Sequence, residues 1–170
     1  KLAWLTCFSI AMGYVEAVIV IYLRKIYYPT GFHFPIVPID PNVASAEFFR
    51  ELATIVMLGS IGILVGKNAL QRFSFSVFSF GVWDIFYYVF LKILIDWPDS
   101  FLTWDVLFLI PLPWIGPVVA PCIASLTLIF FSCYITYFEA KGYKTKFKSI
   151  ERLLLISGSL LIVTSFLWDY

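Results

Sequence analysis

The feature that most constrains this chain is a series of five apolar stretches, residues 2–26, 46–66, 73–95, 117–140 and 150–168. Each is close to the length a helix needs to cross a bilayer, about 20 residues for a hydrocarbon core of roughly 30 Å. Lipid offers backbone groups no hydrogen bonds, so segments of this kind are expected to be helical. Composition agrees. The chain has 170 residues, of which 61% are hydrophobic and only 14% charged, against about 25% charged in soluble domains. A water-soluble globule is excluded on that balance. The net charge of +1 and pI near 7.8 leave no bulk electrostatic case for nucleic acid. The expected fold is a single all-α integral membrane domain over residues 1–170, with about five transmembrane helices.

The connections carry their own signals. Lys1 followed by apolar residues imitates the start of a signal peptide, but the run continues to Leu23 and reads as a retained helix. Residues 27–44 hold four prolines, Pro29, Pro35, Pro38 and Pro41, which favour extended backbone over helix. Ser45 is the expected N-cap of the second span, residues 67–72 a short turn, and Asp99 or Ser100 the cap of whatever follows Pro98. Residues 103–110 are apolar but too short to cross, with Pro111, Pro113 and Pro117 beyond them. They read as a re-entrant or interfacial half-helix.

Cations orient the chain, because Lys and Arg concentrate on the cytoplasmic side. Lys1, Lys67, Arg72, Lys141, Lys144, Lys146, Lys148 and Arg152 fall on one side, and Arg24, Lys25, Arg50 and Lys92 on the other. The eight-to-four division predicts a cytoplasmic N-terminus in the cell's inner (plasma) membrane, with the proline-rich loop and the half-helix outside. Lys141–Lys148 could touch anionic lipid, although it also serves simply as a topology signal.

Ionisable groups inside spans are costly, about 2.5–3.5 kcal/mol each on insertion scales, and so call for partners. Glu16 and Arg24 lie on the first span. Glu47, Arg50, Glu51 and Thr54 share one face of the second, at spacings of three and four. Asp84, Tyr88 and Lys92 follow at i, i+4 and i+8 on the third, and Trp104 and Asp105 lie on the expected half-helix. The expectation is a buried polar cluster of Glu16, Arg24, Arg50, Glu51, Asp84, Tyr88, Lys92, Trp104 and Asp105. It serves either to pin helix packing or as a substrate, ion or proton site. Gly59, Gly62 and Gly66 form a small-residue face for close helix packing.

Named chemistries find little footing. His33 is the single histidine and sits in the proline-rich loop, so bis-His haem within the chain is excluded. Cys7, Cys122 and Cys133 are scattered through apolar runs, against zinc or iron–sulfur ligation. Arg and Lys interleaved with the carboxylates favour ion pairing over a metal. No phosphate-binding glycine loop is present. The expectation is no metal and no cofactor.

The segments Gly13-Tyr-Val-Glu16-Ala, Arg50-Glu51-Leu-Ala-Thr54, Phe80-Gly-Val-Trp83-Asp84-Ile-Phe-Tyr-Tyr88 and Thr103-Trp-Asp105-Val-Leu-Phe-Leu-Ile-Pro-Leu-Pro-Trp114-Ile-Gly-Pro117 resemble a group of small prokaryotic polytopic membrane proteins with no activity attached. The resemblance implies a membrane protein of prokaryotic source and nothing about chemistry. With almost no extramembrane domain, the leading expectation is a small membrane subunit or assembly partner of a larger complex, its partners the bilayer and other membrane subunits. The alternatives are a transporter or proton-pathway component using the polar cluster, and a small membrane enzyme acting on a lipid or apolar substrate.

Overall fold

The computed structural model describes residues 1–110, 112–143 and 147–168. Its elements in chain order are α1 (Leu2–Tyr27), α2 (Pro41–Val65), α3 (Ala69–Ile95), β1 (Trp104–Phe108), β2 (Trp114–Pro117), α4 (Val119–Ala140) and α5 (Ser149–Leu167). All five helices are long and apolar enough to cross a membrane. Helix α3 is the centre of the molecule, packing against α1, α2 and α4.

Capping chemistry explains where the helices begin. Helix α2 starts earlier than the sequence suggests. Asp40, not Ser45, is its N-cap, accepting from the amides of Asn42 at 2.9 Å and Val43 at 3.4 Å. Pro41 occupies the first helical turn, where its missing N–H is harmless. Ser45 lies inside the helix and bonds the Pro41 carbonyl at 2.8 Å. Asn68 caps α3 by accepting from the Gln71 amide at 2.8 Å. At its other end α3 stops on Asp96 in the left-handed region, φ 54°.

The largest departure from the sequence reading is the segment expected to be a half-helix. Residues 104–117 form an antiparallel hairpin instead, with Trp104 opposite Pro117, Asp105 opposite Gly116 and Val106 opposite Ile115, and a bulge before the Phe108–Trp114 pair. Prolines at 113 and 117 deny a helix its amide donors. The Trp-Asp-Val-Leu-Phe run of β1 is rich in aromatic and branched residues that suit a pleated surface. The fourth span accordingly begins at Val119 rather than at Pro117, which ends β2. Asp99 and Ser100 cap no helix. Ser100 closes a turn with Thr103, its amide 3.1 Å from Thr103 Oγ1.

Small residues let the helices close on one another. On the α3–α4 seam, Ser74 and Ser132 share hydroxyls at 2.8 Å, and a Cβ on Gly81 would lie 2.7 Å from the Ser125 carbonyl oxygen. Where α1 crosses α3, a Cβ on Gly13 would lie 2.9 Å from the Trp83 carbonyl oxygen. On the Gly59–Gly62–Gly66 face only part is used. A Cβ on Gly62 would lie 2.6 Å from the Arg72 carbonyl oxygen and one on Gly66 2.7 Å from Arg72 Cα, whereas Gly59 has open space. Helix α5 buries no residue and meets the rest of the fold chiefly at β2, where Phe166 lies against Trp114 at 6.2 Å between ring centroids. These contacts predict that Gly62→Val and Gly81→Val each lower stability by about 1–3 kcal/mol through overpacking. Gly59→Val should be tolerated, and thermal unfolding in detergent would separate the three.

Candidate functional site

At the end of the bundle where α1 finishes and α2 begins lies a cavity of about 540 Å³. Five parts of the chain build it: α1, the loop before α2, α2, α3 and the hairpin. Its apolar wall comes from Val20 and Leu23 of α1, Phe32 and Ile36–Ile39 of the loop, and Val106–Leu109 of the hairpin. Its polar wall comes from residues the helical repeat brings to the interior.

Arg50 is the hub of that wall. Its Nη1 pairs with Glu16 of α1, its Nη2 with Glu47 one turn earlier on α2, and its Nε donates to Glu47 Oε1 at 2.7 Å. Glu51 lies 3.7 Å from the same guanidinium. Glu47, Glu51 and Thr54 fall at i, i+4 and i+7 and are all buried, as one helix face requires. Glu51 reaches further, with Oε2 accepting from the Leu109 amide of the hairpin at 2.9 Å.

A second centre forms where the hairpin meets α1 and α3. Arg24 Nη2 pairs with Asp105 Oδ1 at 2.9 Å. Its guanidinium carbon stands 3.7 Å from the Trp97 ring centroid and 4.6 Å from that of Phe32, so the cation lies against two aromatic rings. Tyr88 donates to Asp105 Oδ2 at 3.4 Å, and the Val106 amide donates to Oδ1 at 2.9 Å. Asp105 is only 2% exposed. Burial pushes its carboxyl up to about 6, with Arg24 pulling the other way. Deeper along α3, Asp84 accepts from the Ser125 hydroxyl of α4 at 2.8 Å.

Seven residues singled out from sequence therefore sit in or beside this site: Glu16, Arg24, Arg50, Glu51, Asp84, Tyr88 and Asp105. Two do not. Lys92, whose side chain is 51% exposed, pairs with Asp96 at 2.7 Å on the outside of the fold. Trp104 is 44% exposed and does not line the cavity. Both were placed by helical periodicity. Lys92 lies one turn from the αL terminus of α3 and finds its partner there. Trp104 belongs to a strand, where neighbouring side chains point to opposite faces, so burying Asp105 turns Trp104 outward.

The expected cluster did not include Glu47, although the sequence put it on one face with Arg50 and Glu51, nor Trp83, Tyr87 and the loop residues Phe32 and Ile36–Ile39. The missed signal was the apolar character of a proline-rich loop, which has cause to fold back over a cavity. Among the described residues, Arg24 Nη1 and Trp83 Nε1 are buried donors on lining residues with no acceptor in the protein. No group of three His, Cys, Asp or Glu among the described residues could hold a metal ion. His33 is edge-on to Tyr28 at 5.6 Å and outside the lining.

Comparison with protein-family models, curated proteins and solved structures found no match to this chain. The site is therefore read from its own geometry. The lining holds five carboxyl groups, Glu16, Glu47, Glu51, Asp84 and Asp105, against two guanidinium groups, Arg24 and Arg50. Removing a shared cation from a buried cluster costs about 3–5 kcal/mol, because the acids left behind lose their partner. Arg50→Gln is expected to destabilise the fold by that order in a detergent unfolding assay. Lys92→Gln, which breaks an exposed pair, should leave the midpoint unmoved.

Proposed function

We propose that this chain is an integral multi-pass protein of the plasma (inner) membrane, with its N-terminus in the cytoplasm. We propose further that the cavity beneath the hairpin binds a small amphipathic molecule with a cationic or hydrogen-bond-donating head. The observation that carries the reading is the cavity itself: about 540 Å³, apolar along the loop and residues 106–109 of the hairpin, and acidic at the helices and at Asp105. A pocket of that size is ample for a small molecule. Its surplus of three acidic groups over guanidinium groups favours a cation or a donor over an anion, because unbalanced charge at low dielectric is costly. Such a site suits a transporter or a carrier of an apolar substrate. Asp84 and Glu51, each held by a single hydrogen bond from a neighbouring element, are the acids best placed to exchange a proton with the bound head.

Two measurements test this. Dodecylamine and dodecanoate should be compared as ligands of the detergent-solubilised chain by thermal shift. The amine is expected to stabilise it, by about 2.7 kcal/mol at one hundred times its Kd, and the carboxylate not to. Glu51→Gln with Asp84→Asn should weaken the amine effect at least tenfold while the fold persists. Equal response to both detergent-like ions would defeat the cavity reading. For topology, cysteines placed at Lys67 and Asp40 should label from opposite faces of the membrane, and labelling from one face would defeat the orientation.

A second reading, a subunit or assembly partner of a larger membrane complex, draws on α5, a 19-residue apolar helix with no buried residue. Stoichiometric co-purification with other membrane subunits in mild detergent would favour it. A lone, monodisperse chain that responds to the amine would favour the cavity.

A further inference from the structure

Residues 29–39 join α1 to α2, and Phe32 and Ile36–Ile39 among them line the cavity. We propose that this segment is a lid over the cavity, which lifts to admit the amphipathic ligand, closes behind it, and is latched by Phe32 and Val37. The proposal deepens the cavity reading and rests on it for the ligand.

The segment is held firmly at its ends and weakly between them. Tyr28, 8% exposed, fixes one end at the close of α1. Asp40, the N-cap of α2, fixes the other. None of residues 29–39 is buried. Among the described residues they make two hydrogen bonds, and Tyr28 takes part in both. The Gly31 amide donates to its carbonyl at 3.0 Å and the Val37 amide to its hydroxyl at 2.7 Å. No ion pair of the site involves the segment. A stretch with so few buried contacts and backbone hydrogen bonds opens at lower cost than the helices around it.

Phe32 is the first fastening. Its ring centroid stands 4.6 Å from the Arg24 guanidinium carbon, 6.3 Å from that of Trp97 and 5.0 Å from that of Tyr28. Arg24 is a fixed post for it, because Asp105 of the hairpin already holds its Nη2 at 2.9 Å. The Val37 amide on the Tyr28 hydroxyl is the second fastening. Just before Phe32 lies a pivot. Gly31 has φ 111°, and a Cβ there would meet nothing within 4 Å, so the chain turns where only glycine moves freely. Lifting the segment breaks one ring stack and one hydrogen bond, while Arg24–Asp105 and the Arg50 cluster stay closed. Its cavity side is apolar, so closing it shuts water away from the acids. Lids of this kind set the rates at which ligands enter and leave.

Two measurements on the full chain in neutral detergent test the lid. The first needs no ligand: hydrogen exchange read at single amides by NMR. Phe32→Ala does not touch the bond of the Val37 amide, yet it should speed exchange there about fivefold or more, because the two fastenings belong to one opening unit. The Leu109 and Val106 amides, bonded to Glu51 and Asp105, should keep their protection, and Phe32→Tyr should restore that of Val37. Unchanged exchange at Val37, or loss of protection at all three amides together, would overturn the proposal. The second is stopped-flow tryptophan fluorescence with dodecylamine. Phe32→Ala and Tyr28→Phe should each raise association and dissociation rates together, about fivefold, with Kd shifting less than either rate. Val106→Ala, which trims the lining and not the latch, should raise dissociation alone. An association rate that none of the latch variants moves would overturn the lid. Coupled exchange without any response to dodecylamine would defeat the cavity reading and uphold the lid. Uncoupled exchange with an intact amine response would do the opposite.

Discussion

The cost of holding charge away from water governs the arrangement of this molecule, and Arg50 is where most of it is met. One guanidinium serves Glu16 from α1 and Glu47 and Glu51 from its own helix. An isolated ion at that depth would be prohibitive, so the helices can approach only in the register that brings these groups together. Because Glu51 also holds the Leu109 amide, the same centre reaches the hairpin. The Arg24–Asp105 pair holds that hairpin at a second point, nearer its base. The cavity exists because two charged centres prop α1, α2 and the hairpin around a space their side chains do not fill.

The central helix makes this possible from the opposite side. Helix α3 has close neighbours on three of its faces, and it accommodates them through small residues. Gly13 admits α1, Gly62 admits the start of α3 against α2, and Gly81 with Ser74 admits α4. Where lipid covers the outside, helix association relies on such close backbone approach and on interhelical hydrogen bonds rather than on the hydrophobic effect. The serine pair at Ser74 and Ser132 supplies the hydrogen bonds, and Asp84–Ser125 adds one at the depth of the cavity. Helix α5 takes no part in this seam and meets the fold chiefly at β2.

The sequence by itself determined the five long helices, because an apolar run of that length has essentially one way to satisfy its backbone without water. It also determined which charged residues would be drawn together on α2, since Glu47, Arg50 and Glu51 can share a face only in a helix of 3.6 residues per turn. Tertiary structure decided the rest. Whether residues 103–110 form half a helix or a strand depends on a partner, and β2 lies beyond two prolines, Pro111 and Pro113, that local periodicity reads only as a break. Lys92 and Trp104 followed helical spacing on paper, yet a local acid at Asp96 and the alternation of a strand turned them outward. The cavity was not legible at all. A void is a property of how far apart packed elements stand, and no pattern within one segment encodes the distance to another.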